Sequence, residues 1–166
     1  MKIDPKVQRL LDLSGAKVIP FYDAVYVYES IPVIVATQTG GLYLPTFDCM
    51  SFNSQAPDLN DVILHELTHW TGHSSRLSRP RIRWGESNKT SQLITVSHSH
   101  TEEFVAEITS NRILKKLGVD HTHSDQLLHK MIGWYAKGDL AQAMEWSYAA
   151  SDYLMDIYNQ VERKVA

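Results

Sequence analysis

Apolar positions along the chain follow two different periods. Val7, Leu10 and Leu11 share one helical face between Asp4-Pro5 and Gly15. Asp4 suits the N-cap, Pro5 the first helical position and Gly15 the stop, so a short helix is predicted there. Ala24-Val25-Tyr26-Val27-Tyr28 and residues 31–37 are rich in β-branched and aromatic side chains and read as strands. Thr39-Gly40-Gly41 signals a turn, and Leu42-Tyr43-Leu44 reads as a third short strand ended by Pro45.

From about Asp58 the spacing becomes helical. Val62, Ile63, Leu67 and Trp70 recur at that period, with Asp58 or Asn60 as cap and Gly72 as the end. Residues 74–98 are polar and irregular, carry Pro80 and Gly85, and read as a long loop. A second helix of this half begins near Thr101, where Ser99 and Glu102 have capping-box spacing, and Lys115, Lys116 and Gly118 close it. Residues 124–137 read as another helix. Asp139 then caps a long final helix carrying Leu140, Ala143, Met144, Ser147, Ala150, Tyr153, Leu154, Ile157 and Val161. Strands come first and helices after, an α+β order built on a small antiparallel sheet. With no repeat, low-complexity tract or linker, residues 1–166 are expected to form one domain.

The composition narrows the function classes. Apolar residues at 43% and charged residues at 21% are globular values, so a disordered chain is excluded. A net charge of −3 lacks the basic excess of a general nucleic-acid binder. No apolar run approaches the roughly 18 residues of a membrane span, and Met1-Lys2-Ile3-Asp4-Pro5 has no signal-peptide core. Cys49 is the single cysteine and cannot form an internal disulfide, which fits a reducing cytoplasm. Eight histidines stand out, because imidazole is the commonest protein metal ligand.

Five residues concentrate the chemistry: His65-Glu66-Leu67-Thr68-His69, an H-E-x-x-H string inside a predicted helix. At about 100° per residue, His65 and His69 lie about 40° apart and one turn above each other, so both imidazoles can reach one ion. Glu66 is turned about 100° from His65 and can take a proton from water activated at that ion. The bland alternative is a helix with two surface histidines and a glutamate.

A catalytic zinc needs a third protein ligand and an open position. Glu103 and Glu107 form an i,i+4 pair on the next helix. Glu102 has a capping explanation, so Glu103 is the expected ligand and Glu107 the carboxylate that orients a ligand histidine. A solvated acidic first turn is the competing explanation. His73 is the other candidate. The metzincin pattern would put a third histidine at position 75, which is Ser75 here, so His73 reads rather as a cleft residue or a buried hydrogen-bonding histidine.

Other residues offer weaker signals. His98 or His100 can contact substrate or stabilise an oxyanion, against the plainer reading of a polar loop. Arg76, Arg79, Arg81 and Arg83 are candidates to grip acidic groups, or else form a solvated loop with one or two structural ion pairs. Tyr43 lies on a strand that either pairs with an extended peptide substrate or belongs to the core. His121, His123 and His129 read as surface residues.

The string from His65 through Trp70-Thr71-Gly72-His73, with Ser75-Arg76-Leu77, resembles the zincin-like metallopeptidase domain of ArdC-type antirestriction proteins and of phage and plasmid polyvalent proteins. The resemblance continues through Glu102-Glu103-Phe104-Val105-Ala106-Glu107 and into Gly133-Trp134-Tyr135 and Ser151-Asp152-Tyr153-Leu154, roughly residues 42–158. It implies a zincin fold with one zinc held by His65, His69 and Glu103, and Glu66 as general base. In the family a single-stranded-DNA-binding domain usually precedes this one. Only about 40 residues do so here, so that domain is expected to be missing.

The resulting expectation is a cytoplasmic zinc peptidase of a mobile element, acting on a protein or peptide, with no membrane partner and with nucleic acid unlikely as a partner of this chain by itself. Manganese or iron can occupy the same ligands. The alternative is a non-catalytic antirestriction or host-defence-binding module with a structural metal, binding a host defence protein or DNA without hydrolysis.

Overall fold

A computed structural model describes residues 2–19, 26–28, 31–33, 40–45, 47–79, 82–84, 96–98, 100–120 and 140–160. In chain order these form α1 (Pro5–Ser14), β1 (Lys17–Val18), β2 (Tyr26–Tyr28), β3 (Ile31–Val33), β4 (Gly41–Leu44), β5 (Cys49–Phe52), α2 (Leu59–Thr71), β6 (Ile82–Trp84), β7 (Val96–His98), α3 (His100–Leu117) and α4 (Leu140–Gln160). The α+β order of strands and helices stands. The expected helix at 124–137 and the cap Asp139 lie outside the described residues.

α1 forms as its sequence dictates. The Asp4 carboxylate accepts from Lys6 N–H at 2.8 Å, and Gly15 ends the helix at φ 68°, where only glycine is unstrained. Asp4 N–H in turn donates to Asn60 Oδ1 at 2.8 Å, which ties the start of α1 to the start of α2.

The main sheet runs β1-β5-β4. β4 and β5 are antiparallel, with Tyr43 opposite Met50, whereas β1 joins β5 in parallel, Lys17 opposite Cys49. The sheet is therefore mixed rather than antiparallel. β1 and β5 escape a propensity reading because each is short and carries few β-branched residues, and their pairing is long-range. A second departure lies in residues 74–98, expected as loop. β6 and β7 form an antiparallel pair there, with Ile82 opposite His98. That pairing brings the chain leaving α2 back beside the start of α3.

α2 is the central element. It packs on β4 and β5 on one side and on α1, α3 and α4 on others. Ile63, Leu64 and Leu67 are fully buried, and Glu66, Thr68 and His69 are buried with them. A helix enclosed on most sides is apolar around most of its surface, so the buried polar residues among these need partners.

Candidate metal centre

α2 supplies two donors one turn apart. His65 Nε2 and His69 Nε2 are 3.1 Å from each other. A tetrahedral ion with bonds of about 2.0–2.1 Å holds two nitrogens about 3.3 Å apart, so the pair is spaced for one ion. Glu103, in the first turn of α3, places Oε2 at 3.4 Å from His65 Nε2 and Oε1 at 3.6 Å from His69 Nε2. Among the described residues, His65, His69 and Glu103 form a group that can hold a metal ion, with donor atoms within 4.8 Å of one another. Two imidazoles and a carboxylate are a donor set suited to a divalent ion of borderline hardness.

Each imidazole is fixed through its other nitrogen. His65 Nδ1 lies 3.0 Å from Glu107 Oε1, and His69 Nδ1 lies 3.2 Å from Glu102 Oε1. A carboxylate at Nδ1 favours the tautomer with its proton there, which in the neutral ring leaves the Nε2 lone pair for an ion at the shared point. Burial disfavours the charged form of His65, but the carboxylates of Glu103 and Glu107 outweigh it and raise its pKa well above the ordinary 6.5. Burial opposes ionisation of Glu102 as well, yet Arg79 and His69 overcome this and hold its pKa below the usual value.

Glu66 is buried on α2 beside this group and accepts a hydrogen bond from the backbone N–H of Tyr43. Burial raises its pKa, the charges of His65 and His69 lower it, and Glu103 raises it again; the net direction is upward. β4 lies very close to it. A Cβ on Gly41 would stand 2.8 Å from both Cγ and Oε1 of Glu66.

The sequence profile of the zincin-like metallopeptidases matches residues 35–136, more than half of the chain. The chain belongs to the zincin-like metallopeptidase family. Among solved structures, the antirestriction protein ArdC of plasmid R388 is similar in fold. In its Mn(II)-bound form the TM-score is 0.61 at 23% identity, over 95% of this chain and 53% of that one. In its metal-free form the TM-score is 0.60 at 23% identity, over 96% and 52%. The chain thus spans about half the length of the solved structures it resembles. No curated protein matches it significantly.

Within this zincin-like chain, the residues singled out by spacing fall into three groups. His65, His69 and Glu103 bring donor atoms within 4.8 Å of one another, Glu107 reaches His65 at its other nitrogen, and Glu66 is buried on α2 within electrostatic reach of them. Tyr43 does not offer its side chain: the ring is fully buried and its hydroxyl donates to Asp48 Oδ1 at 2.8 Å, so only its backbone reaches the site. Burial, then the hydrogen bond to Asp48 and its charge, push that phenol far above its usual pKa. His73 sits half-buried in the turn after α2, with Nδ1 2.8 Å from Ser75 Oγ, outside the donor group. His98 lies on β7 and His100 opens α3, but their side chains fall outside the described residues, as do His121, His123 and His129.

Two of the four loop arginines form ion pairs within the protein. Arg76 pairs with Asp48 and stacks 3.9 Å over the Trp70 ring. Arg79 pairs with Glu102. Arg81 and the Arg83 side chain lie outside the described residues. The contacts of Glu102 with His69 and Arg79 are not legible in the sequence, where a capping pattern with Ser99, a residue outside the described ones, already accounted for it.

Among the described residues, no helix is long and apolar enough to cross a membrane.

Proposed function

We propose that the chain is a zinc-dependent peptidase acting in the cytoplasm on a protein or peptide, with residues 1–166 forming one domain of a mobile-element protein. The reading rests on one observation. Two imidazoles and a carboxylate from separate helices meet within ion-binding distance, each imidazole held by its own carboxylate, with a further buried glutamate alongside. His65, His69 and Glu103 would hold the ion, and their two-nitrogen, one-oxygen set favours zinc. A bound divalent ion supplies Lewis acidity to a peptide carbonyl and to water.

The chain's own residues supply the proton chemistry. Glu66 accepts a proton from water as its oxygen attacks the carbonyl carbon, then delivers that proton to the amine nitrogen as the C–N bond breaks. Its raised pKa moves it toward the range in which a carboxylate can both take and return a proton. The Tyr43 N–H and the close pass of Gly41 fix the direction in which it points.

A non-catalytic antirestriction role is the second reading, favoured by the description of the solved relatives as antirestriction proteins. Glu66→Gln separates the two. As a peptidase, the variant retains its metal by elemental analysis and loses cleavage of a peptide library by about 10²–10⁴-fold. Full cleavage by the variant rejects Glu66 as base. Absence of cleavage by the zinc-loaded unaltered protein favours the binding role.

A further inference from the structure

We propose that Arg79 and Glu102 are positioning residues of the metal centre, a paired clamp that sets both the aim of His69 and the placement of Glu103. The inference rests on the reading of His65, His69 and Glu103 as metal ligands, and it concerns two residues outside that set.

The pair is enclosed, with side chains only 2% and 0% exposed. Arg79 grips the carboxylate through two atoms, Nε to Oε2 at 2.8 Å and Nη2 to Oε1 at 2.6 Å. Its other contacts go to the end of α2: Nη1 donates to Thr71 Oγ1 at 2.8 Å and Nη2 to the Thr68 carbonyl at 2.7 Å. One guanidinium therefore binds the last turn of α2 and the first turn of α3 at once. The chain is folded back to allow this, with Leu77 N–H on the Thr71 carbonyl and Arg79 N–H on that of Gly72, both at 3.0 Å.

Both helices carry metal donors. Glu102 Oε1, held by Arg79, also faces His69 Nδ1, and the next residue along α3 is Glu103. Rotating or withdrawing Glu102 would turn one ligand and shift the other. Energetics favours this role over a purely stabilising one. A fully buried ion pair gains little net stability over apolar side chains of similar volume, because desolvation offsets the attraction. What the planar fork supplies is direction, and a lysine ammonium cannot reproduce it.

The test is optical titration of the full chain with Co(II), alongside thermal melting of the metal-free protein. The double substitution Arg79→Met with Glu102→Leu removes both charges at similar volume. It is expected to fold, to bind Co(II) about 10–100-fold more weakly, and to change the visible spectrum of the bound ion. Co(II) affinity and spectrum equal to those of the unaltered protein would make the pair a structural staple and overturn the proposal. Arg79→Lys, which keeps the charge, carries the test if the double variant does not fold: about tenfold weaker binding at an unchanged melting temperature supports the clamp, and unchanged affinity overturns it. Failure of the unaltered protein to bind Co(II) overturns the metal reading itself, and the clamp with it.

Discussion

Gly41 shows how much a single residue decides at this site. Its Cα lies so close to α2 that an added Cβ would stand 2.7 Å from Val62 Cγ1 and 2.8 Å from Glu66. Gly41→Ala is expected to cost about 1–3 kcal/mol by overpacking and to displace Glu66 rather than the metal donors. Cleavage should therefore fall while Co(II) affinity holds; equal losses of both would show that β4 supports the whole centre. The residues visible in the sequence were those whose partners lie on the same helix: His65 and His69 are aligned by the helical period itself, and Glu103 and Glu107 by the same spacing on α3. Arg79 was legible only as a loop arginine able to form an ion pair; its partner Glu102 and the contact of the Tyr43 N–H stayed hidden. Their roles depend on how α3 and β4 pack against α2, and no local spacing encodes that.

Elements bounded by strong punctuation were legible, and those without it were not. Proline and glycine mark both ends of α1, and the turn at Gly40-Gly41 marks the start of β4. Cys49-Met50-Ser51-Phe52 has no β-branched residue, and β5 becomes a strand because β4 and β1 flank it. The turn joining β4 to β5 is held from outside. Asp48, at φ 46°, accepts from Tyr43 Oη and from both terminal nitrogens of Arg76, which also donates through Nε to the Trp70 carbonyl at 2.6 Å. Burial alone would raise the Asp48 pKa, but Arg76 and Tyr43 outweigh it and hold it below 3.8. A depressed carboxylate contributes stability that is present above its unfolded pKa and lost as pH falls through the folded one. Asp48→Asn tolerates the left-handed backbone and keeps an acceptor for Tyr43. It is expected to cost about 1 kcal/mol near neutral pH, the carboxylate being partly exposed, and to flatten the acid limb of the stability curve. Denaturant melts from pH 7 to pH 3 measure both effects, and an unchanged acid limb would show that other carboxylates control it.

At the scale of the whole molecule, the centre exists only when α2 and α3 are packed together, so a metal that binds there binds the native state and not the unfolded chain. Zinc at a hundredfold excess over its Kd should then add about 2.7 kcal/mol, a rise in melting temperature of about 5–10 °C for a chain of this size. A chelator should reverse the rise, and His65→Ala should abolish it. The pH dependence separates the two forms. In the metal-free protein the carboxylates of Glu103 and Glu107 favour the protonated form of His65 and raise its pKa well above 6.5. That contribution is fully present below the unfolded value and is lost as pH rises through the folded one. Metal needs the neutral imidazole, so binding expels this proton and the affinity climbs over the same interval. Between pH 6 and pH 9 the His65 contribution to the chelated protein should therefore decline while the zinc-induced increment grows, each traced by calorimetric melting. A zinc increment independent of pH over that range would mean that His65 carries no proton to lose, and that the carboxylates around it act through geometry alone.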